Sequence, residues 1–391
     1  MRICFFTDTF LPLVGGAEMV LHHLASRLAA GGDDVTVLAP RVRGADNRVD
    51  AGYSVHRYAK PSSKRYGVHQ LLLPLSLLHL RRRFDVLHCH AGYPPAHVGR
   101  TFRKLFGVPM VVRPHGSDVV PGGRIRRNPR LEARLVRALG AADAVVAQGA
   151  YLRDLVLDLG VDPARIHVIH NGVDIEAFAE GEPFGHPRPY VLALGNLIHR
   201  KGFDVLLRAW AALADPPADL LLAGDGEQRA ALGTLLRELG VGGTVQFVGA
   251  VSGRRKVELY RSAAFLVCPS RAEPFSNVIL EGLAAGLPVV ASAVGGNLEL
   301  AGGDHGLLVP PEDDMALAGA LRTLLENPAR LQKMKVAVPD FIRPFDWART
   351  AGRYRDLYCR VIDRGPSSGV PRRRSAGEGP RRRRTAAARD P

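Results

Sequence analysis

The stretch at 273–281, EPFSNVILE, sets two glutamates at the ends of a short apolar run. Pro274 disfavours helical geometry at Glu273, so Glu273 is expected in a loop with a helix beginning just after it. The first N–H groups of a helix lack intrahelical acceptors, and those of Phe275, Ser276 and Asn277 would be free to meet a phosphate. Glu281 falls one to two turns into the same helix, close enough to accept hydrogen bonds from a ribose. A strand or helix flanked by solvated charges is the plainer reading of these residues, and the other motifs decide between the two.

Glycine-rich turns supply the next candidates. LVGGAE follows an apolar run and opens a helical pattern at Gly15, Gly16, Ala17 and Glu18. Glycines there let the backbone approach a ligand, and a helix amino terminus attracts phosphate. The fingerprint G-x-G-x-x-G is absent from this turn, which argues against a nicotinamide enzyme. LGNLIHRKG carries Asn196, Arg200 and Lys201 past another strand, where a cation would neutralise a diphosphate leaving group. LAGDGE makes a similar turn at Gly224, Asp225 and Gly226. His115, in HGSD at a strand end, is a candidate for the reaction centre. His88 and His90 alternate in HCH and would share one strand face. Neither they nor His97 has a carboxylate or cysteine at ligand spacing, so no metal site is expected. No cofactor is expected either, because Lys201 and helix dipoles can carry a diphosphate's charge without a divalent ion.

The elements that must position these residues are legible as alternating apolar β-rich runs and helical patterns, as in parallel sheets with helices on both faces. RICFFTDT, DVTVLAP, DVLHCH, PMVVRPHG, AVVAQG and IHVIHNGV read as strands of the first half; YVLALGN, DLLLAGDG, TVQFVGA, AFLVCPS, LPVVAS and HGLLVP read as strands of the second. AEMVLHHLASRLAAGG and RLEARLVRALGAAD read as helices, each followed by glycine or carrying it near the end. The Pro- and Gly-rich break EGEPFGHPRPY reads as a linker. The fold class is therefore α/β, with two facing doubly wound, Rossmann-like domains at 1–180 and 181–345. A carboxyl-terminal helix at 346–363 and a basic tail at 364–391 complete the chain. Such sheets bind ligands at the carboxyl ends of their strands, so the site is expected in the cleft between the domains.

Composition agrees with a globular enzyme. The 391 residues are 46% hydrophobic and 23% charged, enough for two cores. No run approaches the ~20 apolar residues of a membrane-spanning helix, and the opening MRICFFTDTF makes a poor signal peptide. The four scattered cysteines point to a reduced, cytoplasmic setting. The net charge of +15 is uneven. The tail carries nine arginines against Glu378 and Asp390, with too few apolar residues to order itself. Residues 51–84 hold seven Lys or Arg and no acid. An anionic partner is implied, either nucleic acid or a membrane surface. YGVHQLLLPLSLLHLRRRF, interrupted by Pro74, reads as a core helix with a solvated end or as a basic amphipathic element on an anionic membrane.

The segment SRAEPFSNVILEGLAAGLPVVASAVGGNLEL resembles the nucleotide-sugar signature of the family-4 retaining glycosyltransferases, which have the GT-B fold. The likeness extends through GGAE, RPHGSD, HNGVD, the lysine of RKG, AGDGE and FVGAV, over roughly residues 1 to 345. It implies a carboxyl-terminal domain that binds a UDP- or GDP-sugar and an amino-terminal domain that receives a hydroxyl acceptor: a lipid-linked sugar, a polysaccharide or a small polyol. By the same resemblance Glu273 and His115 lie at the donor sugar, Lys201 and the amides of Ser276 and Asn277 hold the diphosphate, Glu281 holds the ribose, and Gly16 belongs to the loop over the phosphates. One position departs. The family's arginine after the strand glycine is Asn196 here, which removes a fixed cation unless Arg200 substitutes for it. The reading is a hexosyltransferase of cell-envelope glycan or glycolipid synthesis, cytoplasmic or peripheral on the inner face of the membrane, with no specific nucleic-acid partner. An epimerase or phosphorylase of the same fold is the alternative.

Overall fold

The computed structural model describes residues 1–59, 68–180 and 182–365. The arginine-rich tail from 366 onward and part of the basic zone, 60–67, lie outside the described residues. Two all-parallel sheets form the frame. The first comprises β1 (Arg2–Phe6), β2 (Asp34–Pro40), β3 (Ser54–Tyr58), β4 (Val86–Cys89), β5 (Met110–Val112), β6 (Ala144–Ala147) and β7 (Ile166–Val168). The second comprises β8 (Tyr190–Leu194), β9 (Asp219–Ala223), β10 (Val245–Gly249), β11 (Leu266–Cys268), β12 (Val289–Ser292) and β13 (Gly306–Val309). Their spatial orders are β3-β2-β1-β4-β5-β6-β7 and β10-β9-β8-β11-β12-β13. The expected doubly wound α/β, GT-B-type architecture is therefore present.

The strands read as near-continuous apolar runs because both sheet faces are covered. Along β1, Cys4 and Phe6 enter one core while Ile3 and Phe5 enter the other, the two-residue alternation of a pleated strand. β3 is absent from the strands read in the sequence. It is an edge strand whose polar His56 and Arg57 break the apolar pattern, and only its pairing with β2 defines it. The helix Val68–Arg82 runs through Pro74. Leu71, Leu75 and Leu78 anchor it in the core.

The carboxyl-terminal helix, Trp347–Arg364, crosses back to the first sheet. There it buries Trp347, Tyr354, Leu357, Tyr358 and Val361 in the core shared with β1 and the helix Gly16–Ala30. The chain thus passes between the sheets twice, and the two passages touch at a parallel bridge between Val173 and Asp346. The first passage lies ahead of the 180/181 boundary read from composition. The Pro- and Gly-rich break packs on the second sheet, with the Phe184 N–H donating to Ser262 Oγ at 2.6 Å and His186 meeting Asp219 at 2.9 Å.

In each sheet the strand order reverses beside the first strand, between β1 and β4 and between β8 and β11. The loops leaving those strands diverge and open a crevice. Gly16 comes after β1, Lys201 after β8 and Glu273 after β11.

Candidate active site

A cleft of about 1020 Å³ opens between the two sheets, lined from the first by Gly16, Glu18, Arg113, His115 and Asp118 and from the second by Arg200, Glu273, Phe275 and Asn277. Contacts across it are close. A Cβ on Gly116 would collide with the Pro274 ring, so only glycine lets the HGSD loop approach the EPF turn this way. Glu299 reaches from the second half to accept the Ala150 N–H at 3.0 Å and to meet His170 at 2.7 Å. That His170 contact is the largest influence holding the Glu299 carboxyl below its ordinary value.

On the second-sheet side, Lys201 ends the short turn His199–Lys201. Gly202 comes next at φ 69, and a Cβ there would collide with the Pro269 carbonyl. This approach presses the basic turn onto the end of β11 and brings Lys201 Nζ into a charged hydrogen bond with Glu273. Arg271 staples the same junction, donating to Asp204 at 2.8 Å, to Glu312 at 2.6 Å and to the His199 carbonyl at 2.7 Å. Arg200 donates to the Ala272 carbonyl at 2.8 Å and stands 3.8 Å from Glu273. Asn196 is exposed and is not among the residues lining the cleft.

The helix Asn277–Ala284 begins where Pro274 predicts, with Ser276 as its N-cap accepting the Ile279 N–H at 3.3 Å. Among the described residues, the N–H groups of Phe275, Ser276 and Asn277 meet no acceptor. Phe275 stacks on His170 with ring centroids 5.6 Å apart. Glu281 is held by Lys256 Nζ at 2.6 Å and by the Tyr260 hydroxyl at 3.0 Å. It is not among the residues lining the cleft.

The first-sheet side is built differently. The His115 ring has both nitrogens engaged: Nδ1 faces Arg113 Nη1 at 3.0 Å and Nε2 faces the His90 carbonyl at 2.9 Å. A guanidinium only donates and a carbonyl only accepts, so the ring is the neutral Nε2–H tautomer. Burial first, then the Arg113 charge, lower its pKa to about 3. His88 and His90 are likewise driven well below the ordinary histidine value by burial, with Arg113 and His115 adding to it. They share a face as expected, rings 5.7 Å apart. His88 bonds the Tyr358 hydroxyl at 2.6 Å, and His90 donates to the Ala17 carbonyl at 3.1 Å. Asp118 accepts the backbone N–H groups of Gly92 at 2.6 Å and His115 at 2.7 Å, and burial still pushes its pKa up to about 7. Among the described residues, no three His, Cys, Asp or Glu side chains gather as a metal site.

Of the residues read from the sequence, Gly16, His115, Arg200, Glu273, Phe275 and Asn277 therefore converge on the cleft. Lys201 stands behind Glu273, Ser276 caps the helix, Glu281 is bonded to Lys256 and Tyr260 outside the lining, and Asn196 is not part of this group. Arg113, Asn171, Lys256, Tyr260 and Glu299 are missing from that reading. RPHG and HNGVD contain the first two, but nothing in either motif says that they meet. Lys256 and Tyr260 carry only the i, i+4 spacing of an ordinary helix.

Two parallel α/β sheets whose switch-point loops face one another across a cleft make a GT-B-type fold. A family model described as Glycosyl transferases group 1 matches residues 174–339, and one described as Glycosyltransferase Family 4 matches residues 14–177. The chain is 32% identical to D-inositol 3-phosphate glycosyltransferase 1 of Catenulispora acidiphila, over 72% of this chain and 73% of that one. It is 30% identical to a glycogen synthase of Mycobacterium tuberculosis, over 95% and 97% respectively. The solved structure of HepE from Anabaena in complex with UDP superposes with a TM-score of 0.77 at 20% identity, covering 92% of this chain and 100% of that one. The chain belongs to glycosyltransferase family 4, and it is a glycosyltransferase.

Proposed function

We propose that the protein transfers a hexose from a UDP- or GDP-sugar to a hydroxyl acceptor with retention of anomeric configuration. The observation that carries this reading is the set formed by Lys201 bonded to Glu273, the free amides of Phe275, Ser276 and Asn277 at the helix start, and Glu281 one turn further along that helix. In that order they offer a cation and donors to a diphosphate and an acceptor to a ribose. Lys201 is neutralised by Glu273 until an anion arrives, so donor binding would exchange one partner for another rather than desolvate a bare charge. Arg200, at the cleft wall, supplies the second cation that Asn196 does not.

With both His115 nitrogens bonded, no free imidazole is offered as a general base. The chemistry this supports is a same-face displacement. The bond from the anomeric carbon to the diphosphate oxygen breaks, the bond to the acceptor oxygen forms, and the acceptor proton passes to the departing phosphate oxygen. The protein positions the reactants and stabilises negative charge, and no divalent ion is required. The two named relatives act on different acceptors by their names, a polyol phosphate and a glucan, so the acceptor class stays as broad as a hydroxyl.

Incubation with a panel of nucleotide sugars, with and without acceptors and in excess EDTA, tests this. Transfer with a retained anomeric signal by NMR is expected. Release of an epimerised nucleotide sugar without acceptor would favour the epimerase instead, and inertness of folded protein toward every donor would remove the reading.

A second reading, peripheral contact with an anionic membrane, is favoured by one feature. Leu73, Leu77 and Leu80 are 61%, 50% and 51% exposed, and their spacing makes one outward stripe on the helix Val68–Arg82. Exposed Arg81 and Arg83 flank it. Co-sedimentation with vesicles of anionic phospholipid, but not of neutral phospholipid, is expected. The triple change Leu73→Ser, Leu77→Ser, Leu80→Ser should abolish it; unaltered sedimentation of that variant rejects this docking face.

A further inference from the structure

Arg113 is a buried guanidinium, 2% exposed, that forms no ion pair with a carboxylate among the described residues. Burying such a charge without a counter-ion is costly, and three neighbouring histidines are kept neutral around it. Its fork is nevertheless fully directed on one side. Nη1 donates to His115 Nδ1, and Nη2 donates to Asn171 Oδ1 at 2.5 Å. From there the donor and acceptor chemistry runs in only one direction. Arg113 cannot accept, so the Asn171 oxygen must face it and the Asn171 nitrogen must face away. That nitrogen donates to Asn277 Oδ1 at 2.7 Å, which turns the Asn277 nitrogen toward the Gly16 carbonyl at 3.4 Å. A Cβ on Gly16 would come within 3.1 Å of that nitrogen, so the glycine permits the approach.

The relay therefore starts at the end of β5 and passes through Asn171 in the first inter-sheet passage. It reaches the first residue of the Asn277–Ala284 helix and returns to the loop after β1. We propose that Arg113 and Asn171 are positioning residues: they hold Asn277, and with it the free helix amides, at a fixed separation from the Gly16 loop, so that a diphosphate meets both at once. This rests on the donor-site reading above. A neutral residue at 113 would leave the amide of Asn171 free to flip and the helix end free to drift; the charge at the head of the chain polarises each following bond in the same sense.

The test uses Asn171→Ala, Asn171→Asp, Arg113→Met and the double variant Arg113→Met/Asn171→Ala. Thermal melts confirm that each is folded, and calorimetry with UDP and GDP plus donor KM and kcat provide the readouts. Asn171→Asp is the discriminating change. Its carboxylate gives Arg113 a counter-ion but cannot donate to Asn277, so the relay predicts a higher melting temperature together with about tenfold weaker nucleotide binding and a raised donor KM. Asn171→Ala and Arg113→Met should each weaken binding about tenfold, and the double variant should be no weaker than either single one, because all cut the same chain. Wild-type donor KM in Asn171→Asp, or losses that multiply to about a hundredfold in the double variant, would overturn the relay. If the wild type binds a nucleotide and Lys201→Ala weakens it while these variants do not, the relay alone fails. If neither the wild type nor any variant binds UDP or GDP, the donor-site reading falls and the relay with it.

Discussion

The two walls of the cleft solve the problem of holding charge in opposite ways. On the second-sheet side Glu273 and Glu281 each have a lysine, Lys201 with Glu273 at the cleft and Lys256 with Glu281 away from its lining. Each pair joins a flexible lysine to a carboxylate, an arrangement able to exchange partners. On the first-sheet wall the titratable groups are buried and pushed toward neutrality, His88, His90 and His115 downward and Asp118 upward to about 7. The cation at its centre, Arg113, binds neutral acceptors. A wall of exchangeable ion pairs suits the part of a substrate that carries fixed charge. A neutral, low-dielectric wall suits the place where charge develops and water must be kept from reactive intermediates.

Removing a charge from the second wall should produce the largest change. Lys201→Ala is expected to lower kcat/KM for a nucleotide sugar by about 100- to 1000-fold, the size of losing one donor to a developing anion. A loss below tenfold would mean that Arg200 alone serves the leaving group. The first wall should instead show itself in stability. Folding holds His88, His90 and His115 below their unfolded value near 6.5. Their neutral forms are therefore native, and stability is complete above that pH. As pH falls through 6.5 the unfolded chain takes up protons that the native state refuses. Denaturant unfolding should then lose about 1.4 kcal/mol per pH unit for each histidine; Asp118, raised to about 7, takes up a proton in the native state over the same range and offsets about one of them, leaving a net loss of about 3. Flat stability from pH 7 to pH 5 would show that these rings are not held neutral.

Smaller effects sharpen the contrast. Glu281→Ala should weaken UDP or GDP binding by about tenfold through loss of a ribose acceptor, measured by calorimetry; unchanged affinity would mean that the Lys256–Glu281 pair is only structural. The smallest expectation is an absence. With His115 titrating near 3, the kcat profile between pH 5 and 8 should carry no limb that disappears in His115→Gln.

Much of the second-sheet side is written in the order of the residues. Pro274 after Glu273 stops helical geometry and Ser276 caps the helix Asn277–Ala284, so the start of that helix and its free amides are legible locally. Gly202 marks the turn that places Lys201, and the apolar runs reveal the strands because parallel sheets bury both faces. β3 escapes because an edge strand need not be apolar. Arg113 reads as part of a motif, not as the head of a hydrogen-bonded chain, since its partner Asn171 is 58 residues away and that residue's partner is 106 further.

The sequence by itself determined the two doubly wound sheets, the cleft between them and the acid and helix end that face it, because each depends on local periodicity, capping and turn chemistry. Only the tertiary structure decided that the last helix returns to the first sheet, placing Tyr358 against His88 across 270 residues. It also decided that His115 has no free nitrogen, and which lysine answers which glutamate. Pairings of that kind arise from burial and from donor–acceptor geometry between distant segments, and neither leaves a periodic trace along the chain.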